Sequence, residues 1–271
     1  MRVALGLDEL SPADHPAFVV VGVFDGLHLG HAYLLRHLVA EADRRGARPM
    51  VVTFDHHPDE ILTGNAPALL CDPAERLERL EAAGVATTVV VHFDQVLRQT
   101  PYEVFVARLS EHGRLAGFLM TPDAAFGYQR GGTPATLATL GVDKGFDVVV
   151  VPPFELDGHA VRSTEVRKAI AAGDLMHAAR LLGRAAAVAG IAESAPADGG
   201  PPALAGECPL RFELPMMLPP VGRWSARVVR AGEPAIPAVA RVADGRLWLP
   251  AVDVATASGV RVRVELLGPA G

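Results

Sequence analysis

The 271-residue chain is half apolar but only 6% aromatic, so Ala, Val and Leu must build its core, and its length suffices to fold without a metal or disulfide staple. A formal net charge of -6 argues against a general nucleic-acid binder, which would carry a basic face, yet leaves room for a nucleotide held by a few arginines and backbone amides. Cys71 and Cys208 form no ligand pattern, residues 1–10 show no signal-peptide pattern and no apolar run approaches ~20 residues; free thiols, a cytoplasmic location and no membrane association are expected.

Phe18-Val-Val-Val-Gly22 is a short apolar run, as expected of a first strand buried on both faces. After a Gly-rich turn, Leu34, Leu35, Leu38 and Val39 recur at helical spacing as far as Gly46. A second strand is predicted over 49–54, and Pro73 opens a helix that ends near Gly84. Residues 87–93 read as a third strand, and residues 101–112 as a helix stopped by Gly113. Strands follow over 115–120 and 147–151, then short helices over 163–172 and 174–182. Five strands interleaved with helices predict an α/β fold, a Rossmann-like parallel sheet with ligands at the carboxyl ends of its strands.

Composition changes after Gly183. Domain boundaries are therefore expected at 1–184, with a Pro/Gly/Ala linker over 185–208 and a small antiparallel β domain over 209–271. In that last segment Trp224, Ala226 and Val228, then Val260, Val262, Val264 and Leu266, alternate as in a half-solvated sheet or a small barrel.

Between the first strand and first helix stands Gly22-Val-Phe-Asp-Gly-Leu-His28-Leu-Gly-His31. A helix starting here aims unpaired N–H groups and its positive dipole end at the sheet edge, which suits a phosphate, and the glycines permit close approach. His28 and His31 can donate to phosphate oxygens as negative charge moves onto a leaving group. A helix cap and a metal site are the alternatives for the pair. The spacing is neither G-x-G-x-x-G nor a P-loop. His28-Leu-Gly-His31 resembles the H-x-G-H signature of the nucleotidyltransferase superfamily. The string from Gly22 to His31 resembles the opening motif of bacterial bifunctional riboflavin kinase/FAD synthetases.

Three further segments extend the resemblance. Thr53-Phe54-Asp55-His56-His57-Pro58 is similar to T-F-D-P-H-P, with His56 in place of Pro; a manganese phosphoesterase reading of Asp-His-His fails because the chain has no D-x-D. Val161-Arg-Ser-Thr-Glu-Val-Arg167 resembles S-S-T-x-I-R, with Arg162 replacing the first Ser. Its hydroxyls are placed to cap a helix and meet phosphate, and Arg167 to grip phosphate bidentately. Thr121-Pro-Asp123-Ala-Ala-Phe126-Gly127 resembles G-x-N/D-F-x-F-G, departing at Thr121 and Ala124. Near the end, residues 218–228 and 259–268 resemble strands of the flavokinase barrel, but the G-x-P-T-A-N loop that holds ATP and metal is absent.

The resemblance implies FMN adenylyltransferase activity: AMP passes from MgATP to FMN, giving FAD and pyrophosphate, without riboflavin kinase activity. It implies that His28 and His31 are catalytic; that Gly22, Phe24, Asp25, Gly26, Ser163, Thr164 and Arg167 bind nucleotide; and that Phe54, Asp55, His57, Asp123 and Phe126 line the acceptor site. Mg2+ would be held by the phosphates rather than by protein ligands. Departures at His56, Asp123 and Ala124 keep two alternatives open, a different phosphorylated acceptor or CTP as donor. A third is a non-catalytic flavin- or nucleotide-binding regulator. Dimerisation, shielding of the site and an evolutionary remnant are the open roles of the tail, and a homo-oligomer remains one expectation.

Overall fold

A computed structural model describes residues 1–10, 15–111, 113–193, 206–230, 232–250 and 259–271. The chain forms two compact units: Met1–Phe24, Gly30–Pro67 and Arg76–Ala160 make the first, and Asp25–Leu29, Ala68–Glu75 and Val161–Gly271 the second.

In the first unit, runs of Val and Phe that can be buried on both faces form a parallel sheet. Its strands are β1 (Arg2–Leu5), β2 (Ala17–Val21), β3 (Arg48–Phe54), β4 (Thr87–Val91), β5 (Leu115–Met120) and β6 (Asp147–Val150), in the order β1-β4-β3-β2-β5-β6. The connections carry α1 (Leu29–Arg44), α2 (Asp59–Thr63), α3 (Pro73–Ala82), α4 (Gln95–Arg98), α5 (Tyr102–Glu111) and α6 (Pro134–Lys144). Val19, Val52, Val89, Phe105, Phe118 and Leu137 meet in one buried cluster, which locks the helices of β4–β5 and β5–β6 onto the strands. Thr133 and Thr136 form a capping box at the start of α6, and Gly145 (φ 74°) ends it. From β2 the chain steps outward to β3 and β4, then returns to the other flank of β2 with β5 and β6. The carboxyl ends of β2 and β5 therefore flank the switch point, where doubly wound sheets bind ligands. A short hairpin, β7 (Glu155–Leu156) with β8 (His159–Ala160), closes this unit.

The second unit contains α7 (Ser163–Ala171), α8 (Leu175–Leu182) and six antiparallel strands. These are β9 (Ala186–Ala192), β10 (Glu207–Arg211), β11 (Gly222–Val229), β12 (Ile236–Ala243), β13 (Arg246–Pro250) and β14 (Arg261–Pro269). They close a barrel in the order β10-β13-β12-β11-β14-β9, sealed where Leu210 and Arg211 pair with Ala192 and Ile191. The alternating Trp224, Ala226, Val228 and Val262, Val264, Leu266 are buried in the barrel together with Leu247 and Leu249.

The α/β class with a small β-barrel is as expected, but the element count is corrected. The sheet has six strands rather than five; β1 is an edge strand of only four residues, three of them exposed, too short to stand out in the sequence. α6 is also additional; its Ala, Thr and Gly content gives little apolar periodicity. The expected linker over 185–208 gives way to strand at both ends, in β9 and β10. The small residues of β9 suit a crowded barrel wall: Ala186, Val188, Ala189 and Ala192 are buried. The expected linker run at 194–202 and the expected helix end at His112 lie outside the described residues. From Val161 onward the chain belongs to the second unit, so α7 and α8 group with the barrel. Cys71 and Cys208 are buried and not joined in a disulfide. No helix among the described residues is long and apolar enough to cross a membrane.

Gly117 on β5 has no space for a side chain: a Cβ there would lie 2.4 Å from the Asp147 carbonyl oxygen and 2.7 Å from the Phe18 ring. Gly117→Ala is expected to destabilise the chain by about 1–3 kcal/mol, read as a lower midpoint in urea denaturation.

Candidate active site

The site begins where β2 ends. In the first unit, Gly22 N donates to Val52 O at 3.0 Å, and Thr53 Oγ1 donates to Val23 O at 3.0 Å. Arg76 spans the adjacent strand ends, with Nη1 donating to Val23 O at 3.2 Å and Nη2 to Phe54 O at 2.7 Å. Phe24 turns through a positive φ of 53° and is 1% exposed, its ring packing on His31 with centroids 5.1 Å apart. The Phe24 side chain is core and supports the imidazole. Gly22 is needed beside it, since a Cβ would stand 3.0 Å from that ring.

The second unit carries the continuation of the turn. Asp25 is buried, and its carboxylate accepts from Leu70 N (2.9 and 3.1 Å) and Cys71 N (3.3 Å) while pairing with Arg167 Nη2. Arg167 Nε donates to Ala68 O at 2.9 Å, and Ser163 Oγ donates to Asp25 O at 3.1 Å. Gly26 adopts φ 77° against Leu70, where a Cβ would lie 2.8 Å from the Leu70 Cβ, and its N–H points to Cys71 Sγ at 3.2 Å. Arg184 closes the turn from the far side, with Nη2 donating to Gly26 O at 2.7 Å and Nη1 to Leu27 O at 3.4 Å.

These contacts give the predicted site residues partners within the protein. Asp25 serves the fold of the turn, because its oxygens are already engaged by three donor groups. Arg167 holds Asp25 and Ala68 instead of presenting Nε and Nη2 together as a phosphate fork. Arg162, not Ser163 or Thr164, is the N-cap of α7, and no side chain caps that helix; Thr164 stands exposed in the first turn.

The barrel reaches the same segment. Arg261 on β14 makes two 2.7 Å contacts to the Asp72 carboxylate, and Arg263 Nη2 lies 3.6 Å from Glu75 Oε1. Arg184 Nη2 lies 3.8 Å from the same oxygen, and Glu75 is 3% exposed. Of these arginines, Arg184 and Arg167 act on His28. His28 itself is 4% exposed, and burial, then Arg184 and Arg167, lower its pKa to about 4. It is neutral at pH 7 and meets a ligand as a hydrogen-bonding imidazole rather than as a cation. His31, three residues on, is partly exposed in the first turn of α1.

The loop after β3 places Phe54 edge-on to Phe93 (5.3 Å between centroids). Asp55 follows, with Oδ2 2.6 Å from His92 Nδ1 and Oδ1 accepting from His56 N at 2.7 Å. Burial opposes ionisation of Asp55, but these hydrogen bonds hold its carboxyl below the usual range. His57 turns away from Asp55: its Nδ1 accepts from Asp59 N at 3.2 Å. After β5, Asp123 is exposed and accepts from Thr121 Oγ1 at 2.8 Å. Phe126 is half-buried against Phe105 and Phe118, anchoring that loop in the core.

Residues 10–165 match the family model described as FAD synthetase. The chain is 31% identical over 273 residues to the bifunctional riboflavin kinase/FMN adenylyltransferase of Escherichia coli (strain K12), across 98% of this chain and 82% of the relative. The chain belongs to the FAD synthetase family. A similarly described Pseudomonas fluorescens protein is 36% identical over 192 residues, 70% of this chain and 61% of its own length. The crystal structure of a macrolide-efflux protein from Streptococcus pneumoniae gives a TM-score of 0.79 over 99% of this chain and 90% of its own, at 23% identity. That likeness speaks to fold alone. As a FAD synthetase family member the chain is a nucleotidyltransferase.

Sequence reasoning missed Arg184, Arg76 and the 68–75 segment of this FAD synthetase family member. Arg184 stands directly after the Gly183 that ends α8, and Arg76 lies within a charged helix start; neither position carries a spacing signal.

Two outcomes follow. Asp25→Ala leaves Arg167 without its carboxylate and two amides without their acceptor, and is expected to cost about 3–5 kcal/mol in denaturant unfolding. For His28, the unfolded chain binds a proton near pH 6.5 but the folded chain only near 4. Stability is therefore full above 6.5 and falls as pH drops toward 4, by on the order of 3 kcal/mol. His28→Gln is expected to remove that part of the pH slope, measured as denaturation midpoints across pH 4–7.

Proposed function

We propose that this chain is an FMN adenylyltransferase, transferring AMP from ATP to FMN, and that it does not phosphorylate riboflavin. The observation that carries the reading is the His28–His31 turn, fixed by buried contacts around Asp25 and ringed by arginines, at the end of a central strand. In the reaction a phosphate oxygen of FMN attacks the α-phosphorus of ATP in line. A new P–O bond forms, the bond to the β-phosphate oxygen breaks, and pyrophosphate leaves. Nitrogens of His28 and His31 hydrogen-bond to the phosphates as charge builds on the departing group. Because His28 enters neutral, its hydrogen bond can strengthen with that charge, while Arg184 and Arg167 supply the fixed positive potential. Gly22 and Gly26 let the turn pack closely on Phe24 and Leu70, and Thr164 and the open start of α7 add donors.

Magnesium travels with the ATP phosphates in this reading and neutralises part of their charge. The residues of the turn fit such an arrangement: the Asp25 carboxylate is already engaged by Leu70, Cys71 and Arg167, so it is not a ligand for the ion. Phe54, Asp55, His57, Asp123 and Phe126 belong to the loops after β3 and β5 that would receive the acceptor; Phe126 and His57 act there by shaping the loops. The exposed Asp123 carboxylate favours a second reading, in which the transfer is kept but the acceptor carries less negative charge than FMN. The barrel supports the missing-kinase reading through its sequence, which has no G-x-P-T-A-N loop.

The test is incubation of the purified chain with FMN, each nucleoside triphosphate and Mg2+, following pyrophosphate and flavin products. FAD and pyrophosphate are expected with ATP, and no FMN from riboflavin. Absence of turnover with FMN and ATP defeats the reading, and turnover with another pair establishes the second. His31→Gln is expected to lower kcat about 10²- to 10³-fold while KM for ATP stays within about threefold.

A further inference from the structure

The parallel pairing of β3 with β4 sets Phe54 opposite Val91, and Asp55 N extends the ladder to Val91 O at 3.2 Å. Asp55 and His92, each the first residue past its strand, are thereby placed side by side. His92 Nδ1 stands 2.6 Å from Asp55 Oδ2, and His56 Nδ1 stands 3.3 Å from Asp55 Oδ1. One ligand atom from each of the three residues lies within 4.8 Å of the other two. The two imidazoles meet edge to face, with centroids 6.2 Å apart. From this geometry we propose that Asp55, His56 and His92 form a binding site for a divalent transition cation of the zinc class.

The donor set selects the ion. Two imidazole nitrogens and one carboxylate oxygen suit Zn2+, Co2+ or Ni2+, whereas Mg2+ and Ca2+ prefer oxygen ligands. The spacing fits as well: bonds of 2.0–2.1 Å in a tetrahedral zinc site place donor atoms about 3.3 Å apart, inside the range seen here. The carboxylate is held in place before any ion arrives, by His56 N at 2.7 Å and Phe93 N at 3.3 Å. Such outer hydrogen bonds orient a metal ligand and reduce what must be ordered on binding. The side chains of His92, His56 and Asp55 are 69%, 45% and 32% exposed, so an ion can enter from solvent and complete its coordination with water or an oxyanion. His56 occupies the position where the T-F-D-P-H-P pattern has Pro, a residue with no side-chain donor, so the third ligand is a property of this chain. The site is separate from the His28 turn in sequence, and the inference does not depend on which acceptor the enzyme uses.

The test uses the full chain without a polyhistidine tag, stripped with chelator and titrated with Co2+ as an optical probe. The expected result is one equivalent bound, with visible absorption that Zn2+ abolishes by displacement. His92→Ala, His56→Ala and His56→Pro each remove a direct ligand and are expected to weaken Co2+ binding at least about tenfold, the lower range for loss of even an outer partner. Circular dichroism of each variant should match the unaltered chain, because both histidine side chains are largely exposed. Failure of the unaltered chain to take up Co2+ or Zn2+ overturns the site. Equal affinity in the folded His92 and His56 variants also overturns it and assigns the ion to other histidines.

Discussion

The buried carboxylate of Asp25 is the contact on which the candidate active site depends. A carboxylate so enclosed is tolerable only if its lone pairs are met, and two backbone amides and one guanidinium meet them. Those partners come from separate stretches of the second unit, the 70–71 segment and α7. The carboxylate therefore ties together pieces that sequence order keeps more than ninety residues apart. Phe24 and Leu27, non-glycine residues with positive φ on either side of Gly26, adopt conformations that such residues rarely take.

This constraint gives the barrel a role that needs no kinase loop. Arg261 and Arg263 of β14 pair with Asp72 and Glu75, on the segment whose amides hold Asp25, and Arg184 just before β9 grips the Gly26 and Leu27 carbonyls. The strands thus brace, through arginine–carboxylate pairs, the segment that holds the turn. Burial, with Arg184 and Arg167, keeps His28 neutral. Fixed charge and hydrogen bonding are divided between guanidinium and imidazole, an arrangement that suits a leaving group whose charge grows during the reaction.

Much of the fold was legible in the sequence because buried parallel strands leave continuous apolar runs. Residues 18–21, 49–54 and 115–120 announced themselves in this way, and α1 and α3 by their leucine spacing. β1 and β9 did not, for opposite reasons: one is an exposed edge, and the other is built from residues too small to register as core. The site was legible in part. His28, His31, Gly22 and Gly26 stand where the motif puts them, but the motif says nothing of who holds the turn. Phe24, Asp25 and Arg167 were read as ligand contacts from their place in a pattern, which carried no sign of the core packing of Phe24 or of the Asp25–Arg167 pair.

By itself the sequence determined the reaction class, through a histidine pair at a strand-to-helix turn, because local geometry follows from residues that are neighbours in the chain. It also determined that a parallel sheet would present that turn at its carboxyl edge. Tertiary structure alone decided the charge state of His28, the service of Asp25 and Arg167 to the fold, and the meeting of Asp55 and His56 with His92. Each of these depends on residues distant in sequence, brought together by sheet register or by a buried ion pair, and one-dimensional spacing carries no record of either.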